Sequence, residues 1–367
     1  MKLNEKQLQD FQKKFGVILN ERDIITDQDT IAPHLVDWVG NISGSSALML
    51  TPRNSEQVSK ILRLCNEETI AVVPQGGNTG SVASGIPNGE IILSLEKMSN
   101  IISIIPEDYS ITVESGCILS QVQDAAHEAS RFFPLSIGSE GSCTIGGNIS
   151  TNAGGISVLK YGNMRDLVLG LEVVLADGRI MNNLKRLRKD NSGYATKHMF
   201  MGAEGTLGVI TAACLRLFPK IENMVTAFAS LSNLDATIQL LETLKSFSGE
   251  LLSSYELIPK IGLDIALRYG DELVSPISDP QEWNVIIEYS DTKNPNKILD
   301  ETGSLKIIAP SIIAVSGLNP TVIVMPVGVD ILIDDMKSET INAAPGIARI
   351  NNTIHWVVSN DKEPEKG

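Results

Sequence analysis

A chain of 367 residues, 43% hydrophobic and 20% charged, has the make-up of a globular protein with a sizeable core. At roughly 100–200 residues per domain it has room for two or three domains. A formal net charge of −14 argues against a nucleic-acid partner, because phosphate backbones are gripped by clustered Lys and Arg.

Residues 1–50 read as α-rich, with 1–40 as a lead-in to the first domain. Met1 to Gln12 is polar and lacks a signal-peptide core, and it is not Arg-rich. Ser55 is the expected N-cap of a helix that places Val58, Ile61, Leu62 and Cys65 on one face. Strands are expected at Ile70–Pro74, Glu90–Leu95 and Ser110–Glu114, then a helix from Ile118 to Glu128. Phe133 to Gly155 is too rich in glycine to read as a helix. Leu167 to Ala176 is apolar and ends at Asp177-Gly178, a hairpin signal. Lys185, Arg186, Arg188 and Lys189 form a local basic patch, read as a solvated loop. A strand follows at Gly208–Thr211. From Asn223 the texture changes: strand candidates at Ala227–Ser230, Leu251–Leu257 and Val285–Tyr289 flank an amphipathic helix from Leu234 to Phe247. The mixed order, without a βαβ repeat, predicts an α+β fold rather than a doubly wound sheet.

The four cysteines, Cys65, Cys117, Cys143 and Cys214, form no C-x-x-C pair, so no metal site is expected. Their scatter fits a reducing compartment, and a cytoplasmic location is expected with the mitochondrial matrix left open. Ile307 to Val329 has no charged residue and is long enough to span a bilayer, but Pro310, Pro320 and Pro326 argue against a transmembrane segment.

Two glycine-rich runs carry the chemistry. Pro74, Gln75, Gly76, Gly77, Asn78, Thr79 and Gly80 follow a strand; glycines there permit positive φ and a concavity of backbone N–H groups, which binds phosphate oxygens without any cation. Gly138 to Gly155 offers amides, hydroxyls and carboxamides with almost no charge. A third loop is Gly202, Ala203, Glu204, Gly205, Thr206, Leu207 and Gly208. None is a Walker A sequence or a G-x-G-x-x-G that opens a helix, which disfavours a nicotinamide-binding Rossmann domain. Read singly, each could be a tight turn; together they suit a large, neutral-to-anionic cofactor.

The runs Pro74–Gly80, Gly141–Gly155, Tyr161-Gly162, Val168–Gly178, Leu187–Tyr194 and Gly202–Thr211 resemble the flavin-binding half of the vanillyl-alcohol-oxidase-type (PCMH-type) flavoproteins. Within these, residues 35 to 290 are most similar to D-2-hydroxyglutarate dehydrogenase and the FAD-linked D-lactate dehydrogenases. The resemblance implies a two-subdomain α+β FAD-binding domain over 41–222, followed by an incomplete α+β substrate (cap) domain over 223–290 and a divergent tail over 291–367. It implies FAD between the subdomains, with Gln75 to Gly80 on the pyrophosphate. Ser142, Gly146, Gly147, Thr151 and Asn152 would lie along the cofactor. Gly208, Val209 and Ile210 would lie near the adenine, beside Glu204. With no His or Cys linker in the first loop, noncovalent FAD is implied, and Cys143 is read as a small buried residue.

The reaction implied is oxidation of a small 2-hydroxy acid of D configuration, with electrons passed to a separate acceptor. In such proteins a His-x-Gly-Asp-Gly-Asn-x-His run and a later Glu-His-Gly supply metal ligands and the base. Neither run occurs here, so the catalytic residues stay unassigned and the ability to turn over is in question. His34, His127, His198 and His355 have no metal-ligand spacing, and each reads as structural or exposed. The tail is expected to be a decayed stretch or a diverged cap, the former favoured, leaving a sheet edge uncovered. An FAD-binding protein without turnover, and a homo-oligomer or a subunit of a heteromeric assembly, stay open as alternatives.

Overall fold

A computed structural model of the chain describes residues 5–270, 273, 275–277, 279–291, 321–326, 349–350 and 354–355. The chain divides into two compact units: Met1–Gly155 with Gly162–Pro219, and Ile156–Tyr161 with Lys220–Gly367.

The first unit holds two principal sheets. One comprises β1 (Ile24–Ile25), β2 (Met49–Leu50), β3 (Val72–Gln75) and β4 (Ile91–Ser94) in the order β1-β2-β4-β3. β2 and β3 both run parallel to β4, so the chain between them must cross over, which the helix Ser55–Glu67 does. That helix buries Val58, Ile61, Leu62 and Cys65 against the sheet, and the lead-in helix Glu5–Phe15 adds Phe11 and Phe15 to the same core. The first 40 residues are therefore integral to this unit. The Ser55–Glu67 helix is capped by Asn54, whose side chain accepts from the Gln57 N–H at 2.9 Å, not by Ser55, which is its first residue.

Next come β5 (Ile101–Ile105), β6 (Ser110–Glu114), the short β7 (Arg131–Phe132), β8 (Val168–Val174), β9 (Ile180–Asn183), β10 (Val209–Arg216) and the short β11 (Phe218–Pro219). Five of these form an antiparallel sheet in the order β5-β6-β10-β8-β9, and β7 pairs with β11. The Asp177-Gly178 signal makes the β8–β9 turn, with Gly178 at φ +83°. The expected helix after β6 spans Leu119–Glu128.

The second unit is a sheet of β12 (Asn223–Leu231), β13 (Leu252–Pro259), β14 (Trp283–Asp291) and β15 (Thr321–Pro326), ordered β13-β14-β12-β15. Helix Leu234–Ser248 covers one face, packing Ala236, Leu240 and Leu244 on Val225, Val285, Ile287 and Tyr289. On the other face Leu263, from helix Lys260–Tyr269, meets Phe228 and Ile277. The segment Ile156–Tyr161 belongs here: the Lys160 ammonium donates to the Ser290 carbonyl at 3.0 Å and to its hydroxyl at 2.9 Å.

The tail differs from expectation in one respect. β15 pairs along β12 from Ser230↔Thr321 to Val225↔Pro326, so the β12 edge expected to be open is covered. Residues 349–350 and 354–355 form a further antiparallel pair. The rest of the tail, and most of the apolar stretch weighed as a membrane segment, lie outside the described residues. Among those described, no helix is long and apolar enough to cross a membrane.

Candidate functional site

The first glycine loop leaves the carboxyl end of the parallel strand β3, the usual mouth of a ligand site in a parallel sheet. It forms one wall of a cleft of about 210 Å³ within the first unit. The second loop supplies the opposite wall. Here the structure corrects the reading of that loop as non-helical: Ile145–Ser150 is a helix with Gly146 and Gly147 inside it. Thr144 makes this possible, because its side chain caps the helix by accepting from the Gly147 N–H at 3.4 Å. The third loop approaches from the start of β10.

The glycines act otherwise than expected. Gly76, Gly77 and Gly80 are not at positive φ; the left-handed residue of the first loop is Asn78, at φ 50°. Gly76 and Gly77 are required by contact instead. A Cβ on Gly76 would lie 2.2 Å from the Thr144 Oγ1, and one on Gly77 would lie 2.1 Å from the Ser142 carbonyl oxygen. The two walls therefore touch backbone to backbone. Positive φ returns in the third loop, at Gly202, Glu204 and Gly205.

Pro74, Gln75, Gly76, Gly77, Asn78, Thr79, Gly80, Gly146, Gly147, Thr151, Glu204, Gly208, Val209 and Ile210 all line this cleft. Ser142 and Asn152 do not. Ser142 contributes the carbonyl beneath Gly77, and the Asn152 Oδ1 accepts from the Arg165 N–H at 2.9 Å, a structural tie. Gln75 turns its side chain away: its Nε2 donates to the carbonyls of His34 and Gly85, each at 2.9 Å, while its Oε1 meets the His34 Nδ1 at 2.5 Å. His34 is thus a brace for the loop. Leu95 and Ser115, each just past the end of a strand, and Ile137 also reach the cleft, and no glycine run signals them. Cys143 lines it too, buried, with its Sγ accepting from the Asn148 Nδ2 at 3.4 Å.

The chemistry of the lining is specific. No Lys, Arg or His side chain lines the cleft, and Glu204 is its one ionisable carboxylate. Among the described residues, the backbone N–H groups of Gly76, Gly77, Asn78, Thr79 and Gly80 find no acceptor. The Ser115 Oγ, beside Gly146 in the same cleft, is buried and unpaired. A buried hydroxyl without a partner is costly, and five free amides open beside it, so such a surface suits a ligand rich in acceptor oxygens. A dinucleotide pyrophosphate meets that requirement through backbone amides alone.

Residues 46–183 match the family model described as FAD binding domain. FAD is the cofactor this domain holds, and the unpaired amides and the Ser115 hydroxyl fit its oxygen-rich core. The chain is 40% identical over 276 residues to the probable mitochondrial D-2-hydroxyglutarate dehydrogenase of Oryza sativa subsp. indica, covering 75% of this chain and 49% of that protein. It is 35% identical over 309 residues to a D-2-hydroxyglutarate–pyruvate transhydrogenase of Saccharomyces cerevisiae, covering 82% of this chain and 62% of that one. The chain thus spans about half the length of the curated relatives it matches. In fold it is similar to p-cresol methylhydroxylase, with a TM-score of 0.69 at 19% identity over 88% of this chain and 67% of that one. The α+β expectation and the PCMH-type fold of the FAD domain both hold.

Proposed function

We propose that the chain is an FAD-dependent oxidoreductase acting on a small 2-hydroxy acid of the D-2-hydroxyglutarate or D-lactate class. The observation that carries this is the amide-lined cleft, in a chain 40% identical to a protein named as a D-2-hydroxyglutarate dehydrogenase. Bound FAD would accept a hydride from the hydroxyl-bearing carbon. The chain's own part is to hold and orient the cofactor. In this reading the N–H groups of Gly76 to Gly80 grip the pyrophosphate, Gly146, Gly147 and Thr151 follow its length, and Gly208 to Ile210 support the adenine end. Binding is noncovalent, because the first loop offers no His or Cys for a linkage. The FAD domain would extend over 41–222, with 223–290 as part of a substrate domain. Electrons would leave to a separate acceptor. We place the protein in the cytoplasm or, as several relatives' names say of them, in the mitochondrion.

A second reading is FAD binding without turnover, alone or as a subunit of a larger assembly. It is favoured by the sequence, in which neither the His-x-Gly-Asp-Gly-Asn-x-His run nor the Glu-His-Gly of such proteins occurs. One experiment separates the two. The purified protein is incubated with FAD, desalted, and its visible spectrum followed anaerobically on addition of D-2-hydroxyglutarate and then D-lactate. Bleaching of the flavin band supports the first reading. A yellow protein that neither acid bleaches supports the second, and a colourless protein sinks both.

A further inference from the structure

Arg186, Arg188 and Lys189 of the basic patch are exposed, as expected of a solvated loop. Two of them, Arg186 and Arg188, meet other parts of the first unit at the β5–β6 turn, Pro106 to Ser110. Tyr109 sits at the end of that turn in the left-handed region, at φ 52°, fixed by the Leu217 N–H donating to its carbonyl at 2.7 Å. Arg131 of β7 lies with its guanidinium carbon 4.3 Å from the centre of the Tyr109 ring, held by its Nε donating to the Pro106 carbonyl at 2.9 Å. Arg188, from the loop after β9, lies 5.6 Å from the same ring. Arg216, at the end of β10, is stacked 4.4 Å from Phe218 and pairs in register with Ser110.

These charges are poorly compensated. Arg186 alone approaches a carboxylate, with its Nε 3.6 Å from Asp108. Among the described residues Arg188 and Arg216 form no ion pair, and the Arg216 Nε is buried with no acceptor at all. Burial first, and then the Arg188 charge, push the Arg216 guanidinium below its ordinary value, as expected for cations crowded together. A protein of net charge −14 has little reason to crowd arginines unless an anion completes the group.

We propose that Arg131 and Arg188 at the Tyr109 ring, with Arg216 opposite the adjacent Ser110, form a second ligand site, for a phosphate group, apart from the amide-lined cleft. Guanidinium forks match phosphate oxygens. The three reach the turn from separate segments, which suits a tetrahedral group with donors on several sides better than a planar carboxylate, satisfied by one fork. Each of the three guanidiniums lies against an aromatic ring before the ligand arrives, so less ordering is required on binding.

The test uses the full chain with FAD in excess, so that the amide-lined cleft is occupied. Inorganic phosphate, glycerol 3-phosphate and citrate are titrated separately by calorimetry at constant ionic strength. We expect one equivalent of phosphate or of the phosphate ester to bind, whichever is tighter naming the source, and citrate to bind more weakly. Arg188→Ala removes an exposed side chain and should weaken binding by roughly tenfold or more, the usual cost of losing one charge-assisted contact. Arg216→Lys keeps the charge but loses the fork and should weaken it less, with the melting temperature of both variants unchanged. No uptake by the unaltered protein, equal affinity in both variants, or citrate binding as tightly as phosphate would each overturn the assignment.

Discussion

Both units bury carboxyl groups, and Asp23 in the first and Glu288 in the second are accommodated by opposite means. In the first, Asp23 is wholly buried, and Arg53 and Lys97 reach it at 3.0 and 2.9 Å. In the second, Glu288 lies on the central strand β14 with Ser254 opposite on β13 and Thr226 opposite on β12. The nearest charge felt there is another carboxylate, Glu256. Burial raises both groups, but the hydrogen bonds from Arg53, Lys97 and Asn20 overcome it and hold Asp23 down to about 2. Glu288 is pushed up by burial and then by Glu256, against only the Thr226 hydroxyl. The first unit thus neutralises its wholly buried Asp23 with two cations. The second carries an unneutralised acid within its sheet.

The largest expected effect tests the cleft that the first unit supports. Gly77→Ala would drive a methyl group to 2.1 Å from the Ser142 carbonyl and 3.1 Å from the Cys143 Cα, neither of which can yield without moving the helix Ile145–Ser150. Overpacking of this kind costs about 1–3 kcal/mol, and FAD affinity should fall by one to two orders of magnitude, on the order of 1.4 kcal/mol per tenfold. Gly80→Ala is the control, since a Cβ there meets nothing within 4 Å and φ is not positive. Apo melting temperatures should drop for the first variant and hold for the second. An equal drop in both would mean that the loops do not touch as described.

That contrast marks how far the sequence could be read. The helix Leu234–Ser248 stands where its pattern puts it, because one buried face dictates both period and position, and Ser110–Glu114 stands as a short apolar run buried along its length. Gly76 and Gly80 look alike in the sequence, and only the contact with Thr144 separates them. The helix at Ile145–Ser150 escaped because two glycines outweigh its short apolar pattern, while the Thr144 cap that rescues it is a single residue. The arginines around Tyr109 are far apart in the chain, and nothing local announces their meeting.

Asp23→Asn should have the next largest effect. It leaves Lys97 and Arg53 without their carboxylate, and because both cations are partly exposed the loss should be about 2 kcal/mol, below the range for fully buried pairs. For a unit of this size that is a fall of roughly 4–8 °C in melting temperature. The pH dependence follows from the sign of the shift. A carboxyl held below its ordinary 3.8 stabilises the fold fully above that value, and the contribution disappears as pH falls toward about 2. Scans at descending pH should therefore show the original protein losing stability in that window and the variant losing less. Matching acid limbs would show that Asp23 is not the group responsible.

Glu288→Gln should have the smallest effect and the opposite sign. An acid whose folded value is raised costs nothing while both states are protonated. Above the ordinary 4.5 the unfolded chain ionises first, so the folded state loses ground as pH rises until Glu288 itself ionises. Glutamine keeps the shape but has no charge to bury. The variant should equal the original protein below pH 4.5 and exceed it at alkaline pH by about 1 kcal/mol, the order of cost for a poorly paired buried polar group. Removing the neighbour instead, with Glu256→Gln, should recover part of the same gain, since burial stays while the repulsion goes. Should Glu288→Gln destabilise the second unit at every pH, the carboxylate must be meeting a cation there, and the contrast between the two units would be lost.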